Sequence, residues 1–115
     1  MEETIIYSIK KKDVRWLIAS LDLFRKIKDW SLLYNLARKE NLVREVVALY
    51  EVARLSVRKV RRMPKRFKTL ATPKRQDKYK YIVDKFSSLH FQDIEKKWKV
   101  YIPLNWGDLE EYKWQ

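Results

Sequence analysis

The chain has 115 residues, of which 46% are hydrophobic and 14% aromatic, so it has enough apolar surface for one folded domain (residues 1–115) rather than a disordered segment. Its net charge of +12 favours polyanionic partners, and the absence of cysteine excludes disulfides, thiolate catalysis and cysteine-ligated zinc. The apolar runs are far shorter than the ~20 residues of a membrane span, and the N-terminal residues do not resemble a signal peptide, so we expect a cytoplasmic protein without a membrane partner.

The first 28 residues predict two helices. Residues 2–12 suit a short helix or a strand, because their isoleucines fit either period, and we favour the helix. Asp13 is a good N-cap for a second helix that runs to about Lys28. Apolar residues cover most of its circumference, so we expect this helix to be packed on two sides.

Two further helices follow. Asp29 or Ser31 can cap a third helix that ends near Asn41, since asparagine tolerates the left-handed backbone that closes helices. A fourth helix is predicted over residues 42–62 and stops before Pro64, which disfavours helical backbone at the residue before it. Its first half carries a buried valine-rich stripe, and its second half carries arginines on one face.

The second half of the chain mixes several signals. Residues 64–72 predict a loop anchored by Phe67 and Leu70. A threonine followed by a proline then signals the start of a fifth helix, over residues 73–88, in which Lys80 and Asp84 would form an ion pair.

The C-terminal residues predict a strand and a helix. Residues 96–102 alternate enough for a short strand, and Asp108 can cap a last helix over residues 109–115. We therefore expect a mainly α fold: a compact bundle of five or six helices, with a short C-terminal β element allowed by the pattern. The helix at 42–62 should be its axis, and the surface at 54–80 should be exposed.

The charge is concentrated in residues 54–80, which we call the basic segment. It holds twelve Lys or Arg and one Asp, for +11, whereas the other 88 residues hold fifteen Lys or Arg and fourteen acids, for +1. If the predicted flanking helices pack antiparallel, the two ends of the segment converge on a groove that meets several phosphates. The predicted phosphate contacts are Arg54, Arg58, Arg61, Arg62, Lys65, Arg66, Lys68, Lys74, Arg75, Lys78 and Lys80. The alternative is a solvated face that serves solubility.

Aromatic residues near these cations offer a second way to hold nucleic acid. Tyr79 and Tyr81 alternate with Lys78 and Lys80, and exposed rings beside cations hold single strands by stacking. Tyr81 is the ring we select as a nucleic-acid-binding residue. The alternative is that such rings are buried and pin the chain to the core.

Residues 32–55 resemble the helix-turn-helix found in many small archaeal and bacterial regulators. Ala37 lies four residues before Asn41 and Val47 lies six after it, which is the spacing that lets two helices cross tightly. The residues that this resemblance would place in the major groove are Val43, Arg44, Glu45, Ala48 and Leu49. These side chains offer few groups that read base edges, and the alternative is an ordinary antiparallel helix pair.

The composition and residues 13–67 together resemble small helical proteins of hyperthermophilic archaea. One Gly, three Pro, three Asn and three Gln stand beside 37% charged residues, as is typical of proteins that work at high temperature. Some of these archaeal proteins partner nucleotidyltransferase or toxin–antitoxin systems. The resemblance therefore implies an alternative function, in which the basic face docks an acidic protein partner.

The sequence gives little support to catalysis. His90 is the only histidine, and a single glycine excludes a phosphate-cradling loop and a dinucleotide fingerprint. Asp84, Glu95 and Lys97 resemble the metal-binding pattern of restriction-type nucleases, but the flanking strands of that fold are missing. We expect a non-enzymatic protein without metal or cofactor that binds DNA or RNA through phosphate contacts.

Overall fold

The computed structural model describes the backbone of residues 1–113 and the side chains of residues 1–110. Two short strands and seven helices make up this part of the chain, and a 3₁₀ turn at Phe24–Lys26 extends the second helix. The helices are α1 (Glu2–Lys10), α2 (Val14–Leu23), α3 (Trp30–Lys39), α4 (Val43–Ser56), α5 (Lys65–Ala71), α6 (Gln92–Trp98) and α7 (Trp106–Lys113); the strands are β1 (Lys80–Tyr81) and β2 (Val100–Tyr101). The predicted mainly α fold with a short β element is confirmed, although its helices are shorter and more numerous than expected.

The predicted caps of the N-terminal helices are confirmed. The Asp13 carboxylate accepts a 2.9 Å hydrogen bond from the backbone N–H of Arg15, at the start of α2. The Asp29 carboxylate does the same for Leu32 at the start of α3. Asn41 has a φ of 57°, so it supplies the left-handed turn between α3 and α4. Local sequence signals thus fix the boundaries in this region.

Helix α4 is the axis of the fold. Residues 46–50 are all completely buried, because α1, α2, α3, α5 and α6 pack around this helix. Residues 2–12 form α1, as favoured, and its three isoleucines join the same core. Helix α2 is covered less fully than predicted, since Trp16 remains 41% exposed. No helix of the described residues is long and apolar enough to cross a membrane.

The prediction that the fourth helix extends to residue 62 is wrong. Helix α4 ends at Ser56, and Val57 takes an extended backbone. The buried hydroxyl of Tyr50 explains the early end, because it accepts a 2.8 Å hydrogen bond from the backbone N–H of Met63. A continuous helix would separate residues 50 and 63 by about 20 Å. The chain therefore turns back after Ser56 so that Met63 can be buried beside Tyr50.

The predicted loop at 64–72 is also wrong, because residues 65–71 form α5. Phe67 is buried as expected, but Leu70 is 51% exposed and anchors nothing. The predicted helix over residues 73–88 is absent, and Thr72, which was expected to begin it, instead lies at the end of α5. The Thr72 hydroxyl donates to the carbonyl oxygen of Lys68 at 2.9 Å, so it closes the end of α5 instead.

Residues 80 and 81 form β1, which pairs in parallel with β2. Lys80 lies opposite Val100, and Tyr81 lies opposite Tyr101. Only the last part of the strand predicted over 96–102 forms, since residues 92–98 belong to α6. This parallel pairing joins residues 20 positions apart, so the hydrophobic periodicity of neighbouring residues cannot predict it. It replaces the predicted fifth helix.

The last helix begins earlier than predicted. Helix α7 starts at Trp106, and the side-chain oxygen of Asn105 accepts a 2.8 Å hydrogen bond from the backbone N–H of Asp108. Asn105, rather than Asp108, is therefore its cap. The predicted helix over 109–115 includes Trp114 and Gln115, which lie outside the described residues.

Candidate nucleic-acid interface

The first part of the basic segment, residues 57–63, is an irregular loop with an inner and an outer side. Val57 and Val60 are half-buried and Met63 is buried, so every third residue points inward. The residues between them are exposed cations: Arg58, Lys59, Arg61 and Arg62. The sequence predicted these arginines on one face of a helix. The structure instead displays them on a loop whose backbone is fixed by the Tyr50–Met63 hydrogen bond.

Helix α5 continues this cationic surface. Phe67 and Ala71 are buried four residues apart, and Lys65 and Arg66 are exposed on the opposite side. Lys68 is half-buried, since its ammonium lies 3.8 Å from the Glu51 carboxylate and 5.4 Å from the centre of the Tyr50 ring. We call residues 54–68 the first cation group.

The second cation group is residues 74–80, which precede and enter β1. The Lys99 ammonium donates three 3.0 Å hydrogen bonds, to the carbonyl oxygens of Lys74, Arg75 and Asp77. The Arg44 guanidinium donates to the carbonyl oxygen of Lys78 at 3.0 Å. These bonds satisfy carbonyl oxygens on the inner side of the loop, while the side chains of Lys74, Arg75 and Lys78 are exposed.

Lys80 is engaged inside the protein. Its ammonium lies 2.9 Å from the carboxylate of Glu45, which is only 3% exposed, and it also donates to the carbonyl oxygen of Asn41. The predicted pair of Lys80 with Asp84 is therefore wrong, and Asp84 instead pairs with Lys12 at 3.1 Å. Lys80 attaches the second cation group to the start of α4 rather than pointing to solvent.

Helix α4 brings the two cation groups to one side of the molecule. Arg44 contacts the second group and Glu51 contacts the first, and these two residues lie seven positions apart on α4. Seven residues are almost two helical turns, so both side chains point the same way, about 10 Å apart along the axis. The sequence predicts that two antiparallel helices bring the two cation groups together. In the structure, both groups instead contact the same side of α4.

Most cations of the basic segment lack an acidic partner among the side chains that the structure describes. Of its twelve Lys and Arg residues, Lys68 and Lys80 form ion pairs, and the Arg54 guanidinium bonds the Tyr50 hydroxyl at 3.3 Å. The other nine form no ion pair with any carboxylate of residues 1–110, and all nine are exposed: Arg58, Lys59, Arg61, Arg62, Lys65, Arg66, Lys74, Arg75 and Lys78. Lys59 belongs to this set although the sequence analysis did not select it.

Three tyrosine rings form a stack beside the second cation group. Tyr101 of β2 stacks on Tyr79 with ring centres 5.0 Å apart and on Tyr81 with centres 4.5 Å apart. Tyr79 and Tyr81 are 40% and 43% exposed. Tyr81 is the ring predicted from the sequence, and Tyr101 is not among the predicted site residues, since only the parallel pairing of β1 with β2 brings Tyr101 to this place.

A cleft of about 350 Å³ lies between α3 and α5, beside the first cation group. Its walls are aromatic, because Phe67 makes edge-to-face contacts with Trp30 at 6.1 Å and with Tyr34 at 5.4 Å between ring centres. Arg66 and Leu70 of α5 complete its rim. An apolar cleft at the edge of a cationic surface suits an apolar group carried by an anionic partner.

The residues that a helix-turn-helix would place in the major groove are not accessible here. Glu45, Ala48 and Leu49 are at most 3% exposed, and Val43 and Arg44 are half-buried. Residues 74–80 cover this part of α4 through Arg44 and Glu45. Three of these five side chains are therefore closed to solvent in this structure.

The residues that resemble a nuclease metal site are used otherwise. Glu95 is buried, and its carboxylate accepts 2.7 Å hydrogen bonds from the Ser87 hydroxyl and the backbone N–H of Ile102. It holds α6 to β2. Among the described residues, no group of three or more His, Asp or Glu side chains is placed to hold a metal ion.

Comparisons with known proteins found no relative of this chain. No family model matches the sequence, and neither a curated protein nor a solved structure matches the chain.

Proposed function

We propose that this protein is a non-enzymatic nucleic-acid-binding protein whose basic segment contacts phosphates. The observation that carries the proposal is the set of nine exposed cations without acidic partners among residues 1–110, displayed on backbone that is held in place by hydrogen bonds. A surface built only for solubility would mix both signs of charge, as the rest of this chain does. The fixed cations favour a partner with regularly repeated negative charges.

The size of the surface suits several phosphates at once. The two cation groups contact α4 about 10 Å apart, and each extends beyond its point of contact. Successive phosphates along one strand of a duplex advance by about 3.4 Å, so this surface covers roughly four or more of them. We expect the affinity to depend on salt with a slope equivalent to roughly four or more released counterions.

The test is a triple charge reversal, Arg58→Glu, Arg61→Glu and Lys65→Glu. Fluorescence anisotropy with a labelled duplex, a single strand and an RNA hairpin should show at least a ~100-fold loss of affinity at low salt, because about three phosphate contacts become repulsive. Circular dichroism should show unchanged helical content, since the three side chains are exposed.

A matched control separates the surface from the net charge. Lys26→Glu, Lys39→Glu and Lys96→Glu alter exposed residues on other elements and also lower the net charge by six, from +12 to +6. This control should bind at least ~10-fold better than the reversal in the basic segment, because only long-range attraction is reduced. Equal affinities of the two triple variants would contradict the proposed surface.

A second candidate function is docking of an acidic protein, and the cleft between α3 and α5 favours it. An acidic helix could place one apolar side chain between Trp30 and Phe67 while its carboxylates meet Lys65 and Arg66. Leu70→Glu would introduce a carboxylate at the rim of the cleft, where Leu70 is 51% exposed. The variant should weaken capture of a protein partner from a lysate and leave oligonucleotide binding within about twofold, since the basic segment keeps its cations.

A further inference from the structure

We propose that the stacked tyrosines Tyr79, Tyr101 and Tyr81 form a site for an unpaired nucleobase, which makes the basic surface selective for single-stranded nucleic acid. This inference rests on the proposed function and names the form of nucleic acid that it binds. The site lies at β1, directly after the exposed cations of the second cation group. It requires rings with free faces, a fixed orientation and cations close by.

The pairing of β1 with β2 fixes the orientation of the rings. Successive side chains of a strand point to opposite faces, so the position of Lys80 determines the positions of its two neighbours. Lys80 points inward, where it pairs with buried Glu45 at 2.9 Å. Tyr79 and Tyr81 therefore both point to the outer face, where each stacks on Tyr101.

Tyr79 and Tyr81 remain accessible to solvent. Tyr101 stacks on both of them, with angles between ring planes of 29° and 28°. Tyr79 and Tyr81 are nevertheless 40% and 43% exposed, so part of each ring is open to a ligand. A base stacked on either of these rings would extend an existing column of rings, and its site would be largely formed before binding.

Cations lie beside this column on the same loop. Lys78 adjoins Tyr79 in the chain, and the loop that bears Lys74, Arg75 and Lys78 is held by Lys99, two residues before Tyr101. A strand whose base stacks on Tyr79 or Tyr81 can thus place its flanking phosphates against these ammonium and guanidinium groups. Bases in a duplex already stack on each other and have no free face to offer, so the site discriminates between the two forms.

The test compares ligands of equal charge that differ in their bases. A labelled twelve-nucleotide oligothymidylate and an abasic strand of the same length should differ roughly tenfold in affinity for the wild-type protein, which is near the lower end for stacking of one base. The double variant Tyr79→Leu and Tyr81→Leu should remove most of this difference, because neither ring then remains for a base to stack on. Tyr81→Trp, which keeps a stacking face, should retain the difference.

Photocrosslinking tests the site without a substitution. An oligonucleotide that contains 5-iodouracil should crosslink to the wild-type protein at Tyr79 or Tyr81, as located by mass spectrometry of the peptides. Tight binding of both strands with equal affinity, or a crosslink map without these tyrosines, would overturn the stacking site while the proposed polyanion binding stands. Failure of both strands to bind would overturn the proposed function, and this inference with it.

Discussion

The two cation groups of the basic segment consist of the same residue types but are held in opposite ways. In the first group, apolar side chains and the Tyr50 hydroxyl fix the backbone, and Arg58, Arg61 and Arg62 are exposed. In the second group, cations themselves fix the backbone: Lys99 and Arg44 donate to carbonyl oxygens of the loop. In the basic segment and its supports, a positive charge is therefore either an internal hydrogen-bond donor or an exposed group on the surface.

This difference separates two effects that substitution of a cation can have. Removal of an internal donor leaves carbonyl oxygens without partners and should reduce stability. Removal of an exposed cation should leave stability unchanged and reduce affinity for a polyanion. Net charge alone cannot distinguish the two cases, so substitutions in both groups are needed.

The largest effect on stability should come from Lys99→Met. Methionine keeps the length of the side chain but cannot donate to the three carbonyl oxygens, so we expect a loss of about 2–3 kcal/mol in the free energy of unfolding. Urea denaturation measures the loss, and hydrogen exchange should show faster opening of residues 74–80. The control is Lys96→Met, which alters an exposed residue of the same helix region and should change stability by less than about 0.5 kcal/mol. Equal stability of the two variants would mean that Lys99 does not hold the loop.

A smaller effect should follow from Tyr50→Phe. The substitution keeps the ring and its edge-to-face contacts with Phe24 and Trp30 but removes the acceptor of the Met63 N–H. A buried donor left without a partner costs about 1–3 kcal/mol, and we expect about 2 kcal/mol here. Tyr34→Phe, on a half-buried tyrosine of α3, is the matched control and should be nearly neutral. If thermal denaturation finds the two variants alike, the hydrogen bond does not explain why α4 ends at Ser56.

The next effect depends on pH and involves Glu2, which lies outside the basic segment. Its carboxylate accepts 3.0 Å hydrogen bonds from the backbone N–H groups of Lys28 and Asp29. Burial raises the pKa of Glu2, but these two hydrogen bonds outweigh it and hold the pKa below its ordinary value. The stability that this provides is present above the unfolded pKa of about 4.3 and is lost as the pH falls through the folded pKa.

Glu2→Gln should therefore destabilise the protein by about 1 kcal/mol at pH 7, the difference between charged and neutral acceptors. The deficit relative to wild type should shrink as the pH is lowered from 5 to 3, where the wild-type carboxyl takes up its proton. Urea denaturation at several pH values measures this trend. A deficit that stayed constant over the whole range would show that the charge of Glu2 does not contribute.

The smallest effect on stability should come from Arg61→Gln, which removes a free cation of the first group. We expect a change of less than about 0.5 kcal/mol in the free energy of unfolding. The slope of log affinity against log salt should nevertheless fall by about one, as for the loss of one phosphate contact. A loss of about 1 kcal/mol in the free energy of unfolding, without a change in the salt slope, would contradict this expectation. Arg61 would then act as an internal donor, and the distinction between the two groups would not hold.

The sequence predicts those parts of this fold that local signals determine. Asp13, Asp29 and Asn41 mark helix boundaries through their own side chains, and the structure confirms all three. The end of α4 and the absence of a helix after Thr72 depend on contacts between distant residues, namely Tyr50 with Met63 and β1 with β2. Hydrophobic periodicity contains no information about such contacts, so both predictions failed.

The candidate site divides in the same way. The sequence of residues 54–80 alone locates the cations and predicts that most are exposed, because so many positive charges in 27 residues cannot all be buried or paired. It does not distinguish Lys80, which is held by Glu45, from Lys78, which is exposed. It also gives no sign of Arg44, Lys99 or Tyr101, since their roles arise only when β2 lies beside β1.

The hydrogen bonds of Lys99 also impose an order on the formation of the cationic surface during synthesis. A ribosome adds residues from the N-terminus, so α1 to α5 and the first cation group can form while Lys99 and β2 are still unsynthesised. The second cation group gains the three hydrogen bonds of Lys99 only about 20 residues after its own chain has emerged, although Arg44 is already present. We therefore expect the nascent protein to pass through a stage in which half of its cationic surface is organised and the tyrosine stack does not yet exist.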